Sequence, residues 1–334
     1  MSSASPDGAA RPDGSAPGAI QLGMLAWPQY TTWDALREAA VRAEALGYDD
    51  IWTWDHLYPI VGSPDGPMYE GWMTLAAWAE ATRRVRIGLM VGANPFRNPA
   101  LVAKMATILD QISHGRAVLG IGAAWFETEH IAFGFPFGSS PGERLRWLEE
   151  AAQIMRGMLR GELPPGEQPS GSLHYAVRAV RNDPPPVQAR LPLLIGGGGE
   201  RKTLRIVARY ADMCNVGGGF ENVKRKDEIL RRHCAEVGRD ESEIERTVGM
   251  GVVIIRDTEA EAQRVNDALF AANGGARAWP NQQIGTVEQI AERFRPYLGI
   301  GFRHFICGFP APYDWESMER LVSQVKPMLE AGAR

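Results

Sequence analysis

Cysteine is scarce in this chain. Cys214, Cys234 and Cys307 are the three present, and no CxxC or Cys/His spacing links them. That excludes a disulfide framework and a thiolate metal site, and predicts a reduced, cytoplasmic protein. Long apolar runs are missing as well. Residues 1–18 use only Met, Ser, Ala, Pro, Asp, Gly and Arg, without the apolar region of a signal peptide. Such a composition cannot bury enough surface to offset chain entropy, so it predicts a disordered tail. No later stretch is long and apolar enough to span a bilayer. Neither sign of charge dominates. With 36 basic and 40 acidic residues and a net charge of −4, neither nucleic acid nor an anionic membrane is an expected partner.

Several reaction signatures are absent too. There is no GxSxG elbow for a hydrolase nucleophile. Glu127, Glu129 and His130 lie close together, but no HxH or HExxH pattern accompanies them, so no metal site is expected. No GxGxxG follows the first strand.

What is present is a sustained alternation of apolar runs and helical periodicity. Strands are expected at 19–26, 49–54, 85–92, 116–124, 193–195, 213–216, 247–255 and 304–309. Helices are expected between them. Thr31 and Asp34 read as a capping box for the first, Glu70–Ala81 as the second, and Pro99–Ile112 as the third with Pro at its start. Further helices read at 142–160, 200–210, 223–237 and 315–329. Thr258 with Glu261, and Thr286 with Gln289, open two more. Residues 125–140 read as irregular and aromatic-rich, and 161–192 as a surface excursion. Eight strand–helix units in 19–334 fit a single (β/α)₈ TIM barrel with an insertion after the fourth strand. A doubly wound sheet shares the alternation but lacks support from the missing dinucleotide fingerprint.

In such a barrel the strand ends converge on one face. Asp55 and His56 end the second strand, a carboxylate and an imidazole placed where chemistry is delivered. An imidazole exchanges protons near neutral pH. The alternative is a capped loop with a locally satisfied histidine. Gly196, Gly197, Gly198 and Gly199 precede a helix, so their N–H groups and the helix dipole suit an anion, with Arg201, Lys202 or Arg205 adding charge. A tight turn also uses glycine. Gly120, Gly122 and Ala123 keep side chains small before Trp125, leaving room for a flat ring or relieving crowding inside the barrel. Val91, Gly92, Ala93 and Asn94 form another small-residue stretch, suited to a planar ligand or to a turn.

Between about Ile20 and Leu329 the chain resembles the luciferase-like monooxygenase superfamily, and within it the deazaflavin (coenzyme F420)-dependent oxidoreductases. The residues that carry the resemblance are Trp54-Asp55-His56, Phe96-Arg97-Asn98-Pro99, Gly115-Arg116 and the run from Gly120 to His130. Ala132–Phe137, Gly142-Glu143-Arg144, Leu194–Glu200 and Ala208–Asp212 complete it.

The resemblance implies a TIM barrel, usually a homodimer, with a flavin or deazaflavin at its C-terminal face. It implies a bulge with a non-prolyl cis peptide near Val91-Gly92-Ala93 behind the ring. Gly122, Ala123 and Trp125 would lie beside the ring, and the glycine run would receive the phosphate. Asp55 would contact the deazaflavin, and His56 would act as catalytic base. Sugar-phosphate dehydrogenases of the group carry an acid where this chain has Ala123 and an aromatic where it has Ile60, which argues against a glucose-6-phosphate-like substrate. Phe126, Phe133, Phe135 and Phe137 favour a partly apolar one.

The expected activity is hydride transfer between coenzyme F420 and a small organic molecule, with a separate reductase supplying reduced cofactor. The alternatives are a reduced-FMN monooxygenase using oxygen, and a non-catalytic flavin-binding relative.

Overall fold

A computed structural model describes residues 19–161, 174–178, 180–275 and 282–332. The expected tail at 1–18, and part of the 161–192 excursion, lie outside them. The strands are β1 Gln21–Ala26, β2 Asp50–Thr53, β3 Arg86–Leu89, β4 Gly92–Ala93, β5 Ala117–Gly122, β6 Leu193–Gly196, β7 Met213–Gly217, β8 Glu245–Ile255, β9 Gln282–Gly285 and β10 His304–Phe309. All ladders among them are parallel. They run β10-β1-β2-β3-β5-β6-β7-β8, and β10 pairs back onto β8, so the sheet closes into a barrel. β3 and β4 are two pieces of one barrel strand, separated at Met90-Val91, whose peptide bond is cis. The non-prolyl cis peptide expected near Val91-Gly92-Ala93 is thus present, at the bond entering Val91.

The helices are α1 Trp33–Leu46, α2 Gly71–Ala81, α3 Pro99–Ile112, α4 Glu127–Phe133, α5 Pro141–Arg160, α6 Thr203–Tyr210, α7 Phe220–Glu236, α8 Glu259–Ala272, α9 Val287–Gly299, α10 Trp315–Arg320 and α11 Lys326–Gly332. Leu321–Val325 forms a π-helical turn between the last two. Between the fourth barrel strand, β5, and the fifth, β6, the described residues include two helices, α4 and α5.

Several local expectations need correction. Thr32, not Thr31, caps α1, its hydroxyl accepting from the Ala35 N–H. Residues 125–140 contain α4, a two-turn helix too short for periodicity to reveal. The sixth helix starts at Thr203, not Glu200, because 200–202 form a turn and Gly197 takes a φ of 118°. β9 was not expected; its four residues carry two glutamines and pair only with β8. The capping box of Thr286 with Gln289 is complete.

Along each strand, alternate residues point into the barrel and toward the helices. Leu22, Met24, Ile51, Ile87, Leu119 and Ile195 belong to the larger core, which includes the helical residues Leu36, Leu75 and Leu148. Trp52, Val118, Leu194, Met213 and Ile306 form a separate cluster that plugs the lumen, with Met90 and Val91 packed on it. Above this plug, at the C-terminal ends of the strands, lies the face where such barrels bind ligands.

Candidate active site

A cavity of about 370 Å³ opens there. Trp54, Asp55 and His56 reach it from the end of β2, Met90–Ala93 from the broken third barrel strand, and Gly122–Trp125 from the end of β5. Gly196 and Gly197 enter after β6, Asn215 from β7, and Thr203 from the start of α6. Asn94, Gly198, Gly199 and Arg201 do not line it. Asn94 is buried and donates to the Tyr175 hydroxyl at 3.0 Å, and Arg201 is exposed. A second cavity, of about 400 Å³, lies at the opposite end, beside Arg86, Glu245 and His304. It sits on the face that serves stability in these barrels.

His56 is the ionisable side chain best placed for chemistry. Its Nδ1 lies 2.8 Å from Oε1 of Glu129 on α4, and Oε2 of Glu129 accepts from the Leu57 N–H at 2.8 Å. Both carboxylate oxygens therefore act as acceptors. That makes Nδ1 the donor and leaves Nε2 as the imidazole's free nitrogen. Glu129 is 1% exposed. The rings of Trp125, Phe126 and Trp54 stand 5.5, 6.1 and 6.3 Å from the imidazole, edge-on. Aromatic walls on these sides limit water around the base.

Asp55 is buried just below. Arg97 donates to its two oxygens at 3.1 and 2.7 Å, and the Ala93 N–H donates to Oδ2 at 2.9 Å. Arg97 also reaches Glu70 at 2.7 Å. Burial pushes the Asp55 carboxyl above its ordinary range, against the opposing pull of Arg97 and the Ala93 N–H. With three hydrogen bonds received, Asp55 pins the Gly92-Ala93 backbone beside the cavity that it also lines.

The glycines flanking the cavity have a specific steric job. A Cβ on Gly120 would lie 1.9 Å from the Leu89 carbonyl oxygen. One on Gly122 or on Gly196 would lie 2.7 or 2.8 Å from Val91 methyl groups. Relief of crowding, one of the two readings of Gly120 and Gly122, is thus met. It also serves the other reading, because the seated Val91 and the bare Gly92-Ala93 backbone make a low, flat wall. Opposite, a Cβ on Gly199 would meet the Thr203 hydroxyl at 2.6 Å, so the glycine lets this hydroxyl lie at the turn. A flat wall, an imidazole and a glycine turn leading into α6 fit a tricyclic ring carrying an anionic side chain.

Sequence reasoning missed Glu129, Arg97, Thr203 and Asn215. Glu129 lies 73 residues from His56 and Arg97 42 from Asp55, so no local spacing could pair them. Glu127, Glu129 and His130 diverge: Glu127 is exposed, Glu129 faces His56, and His130 packs between Phe96 and Phe137.

The sequence profile of the luciferase-like monooxygenase family matches residues 14–292. An F420-dependent glucose-6-phosphate dehydrogenase of Kribbella flavida is 27% identical, over 93% of this chain and 98% of its own length. Among solved structures, an F420-dependent secondary alcohol dehydrogenase in complex with an F420-acetone adduct aligns with a TM-score of 0.77 at 22% identity, covering 93% and 99% of the two chains. A monooxygenase from Streptomyces bottropensis reaches 0.75 at 18% identity, covering 94% and 100%. At these identities the solved structures establish a common fold that hosts more than one chemistry. By the extent of the profile match, this chain belongs to the luciferase-like monooxygenase family.

Proposed function

We propose that the protein is an F420-dependent oxidoreductase acting on a small, partly apolar alcohol or carbonyl compound. The observation that carries this reading is the Glu129–His56 pair, which leaves Nε2 available beside a flat-walled cavity. The F420-dependent relatives support the choice of cofactor. Bound at the flat wall, the deazaflavin supplies the hydride acceptor or donor. His56 handles the matching proton: Nε2 takes it from the substrate hydroxyl during oxidation and returns it to the carbonyl oxygen during reduction. Glu129 holds the tautomer and the ring orientation by accepting from Nδ1. Asp55 and Arg97 fix the wall. Asp55, Val91, Gly92, Ala93, Gly122, Ala123 and Trp125 would surround the ring. Gly196, Gly197, Gly198 and Gly199 with Arg201 would hold the phosphate through N–H groups and charge.

Ala123 and Ile60 replace the acid and aromatic of sugar-phosphate dehydrogenases, and the described lining carries no Lys or Arg. Both features favour an uncharged substrate. The three buried, free thiols suit a reducing cytoplasm, where a separate reductase would recycle the cofactor. Exposed Met73, Leu101 and Ile108 on α2 and α3 suit a homodimer, which light scattering would reveal as twice the chain mass.

Replacing His56 by Ala tests the role. Cofactor binding should persist while turnover falls by about 10²–10⁴-fold. Full turnover with normal binding would remove His56 from the reaction.

A further inference from the structure

Beyond the turn at Gly196–Gly199, the described structure holds a cation that the proposed chemistry leaves unused. Lys226, on α7, lies lengthwise across Gly198. A Cβ on Gly198 would stand 2.1 Å from its Nζ, 2.6 Å from Cε and 2.9 Å from Cδ. A side chain at position 198 would displace the flexible end of the lysine.

Two of the neighbouring charges are engaged, and Arg201 is exposed. Arg225 pairs with Glu200 at 2.8 Å, and Lys202 leans on the Gly142 carbonyl at 3.5 Å. No hydrogen bond or ion pair joins Lys226 to another described residue, and it is half-buried rather than extended into solvent. Burial, with Arg225 adding to it and Glu200 opposing, holds its ammonium below the usual lysine value. A cation in that setting gains from an arriving anion, because desolvation has already weakened its contact with water. Nearby, Cβ atoms on Gly217 and Gly219 would meet nothing, leaving open space where β7 passes into α7.

We infer that Lys226 binds the carboxylate-bearing tail that continues beyond the phosphate of a deazaflavin cofactor, making it a specificity determinant for F420 over FMN. The inference rests on the F420 reading given above. FMN ends at a phosphate monoester, which the glycine turn alone can serve. F420 continues through a phosphodiester into lactyl and γ-glutamyl groups. An ammonium on α7, across Gly198 and beside the open space at Gly217 and Gly219, suits an anion that leaves the turn on that side, as the longer ligand does.

The test is equilibrium binding, followed by fluorescence, with the purified full chain and its Lys226→Met and Lys226→Arg variants. The ligands are oligoglutamyl F420, its tail-less deazaflavin riboside and FMN. Lys226→Met should weaken F420 about tenfold and leave FMN and the tail-less riboside unchanged; FMN weakened as much as F420 would make Lys226 part of the phosphate site and overturn the inference. Lys226→Arg should restore most of the loss, and the wild-type advantage for F420 should shrink as salt rises. Equal weakening of all ligands would reduce Lys226 to a support of the turn. An unchanged F420 affinity would also overturn the inference. Failure of the underlying reading has its own signature: wild-type protein that binds FMN but neither deazaflavin.

Discussion

At the residue scale, the site depends on partners that hold chemistry-bearing side chains rather than on those side chains alone. His56 was legible because it ends an apolar strand. Its orientation was not, because the carboxylate that sets it arrives from α4, 73 residues away. Glu129→Gln keeps the shape but has one acceptor oxygen, so it cannot accept from both Nδ1 of His56 and the Leu57 N–H. It should lower turnover by about ten- to a hundredfold while cofactor affinity stays near wild type. The decisive readout is the split between turnover and binding: kcat should fall while KM and cofactor affinity hold. A loss of stability in an unfolding titration, together with weakened cofactor binding, would make Glu129 a purely structural bridge between Leu57 and α4. Lys226 was equally hidden: its meaning comes from crossing Gly198, a contact between two separate βα units.

At the scale of elements, hydrophobic periodicity located the long helices and the eight barrel strands, because each buries a continuous apolar face. It missed α4 and β9, which are short and borrow their stability from neighbours. It also gave Arg116 no role beyond its place in a family motif. The buried guanidinium donates to the Ala79, Thr82, Val85 and Ser113 carbonyls and so ties the end of α2 to the strands beside it. Likewise, the glycines of β5 answer the interruption between β3 and β4. Gly120→Ala would drive a methyl group into the Leu89 carbonyl. An unfolding titration should show a loss of about 1–3 kcal/mol, with weakened cofactor binding, because the wall at Val91–Ala93 must shift. A stable variant with intact binding would mean the broken strand has slack that its packing conceals.

At the scale of the whole molecule, the barrel separates stability from chemistry by its two ends. Below the lumen plug, His304 sits 2.8 Å from Asp50 and 2.7 Å from Glu245, with Arg86 bridging the same two acids. Burial alone would lower the His304 pKa, but Asp50 and then Glu245 outweigh it and raise it from 6.5 to about 9. A raised folded-state value means the stabilisation is complete below about 6.5 and is lost as pH rises through about 9. The melting temperature should therefore fall between pH 7 and pH 9, and His304→Asn should flatten that slope; an identical slope would dissociate the cluster from stability. At the other end, the cavity, the imidazole and the glycine turn converge from five separate strands. Their convergence was readable once the barrel was recognised, whereas the partners that orient them were not. The most direct measurement is competitive equilibrium binding of coenzyme F420 and FMN to the purified protein. Tight F420 binding with weak FMN binding is the expected result. Preference for FMN, with reduced-FMN-dependent oxygen consumption, would contradict the assignment and make the protein an oxygenase.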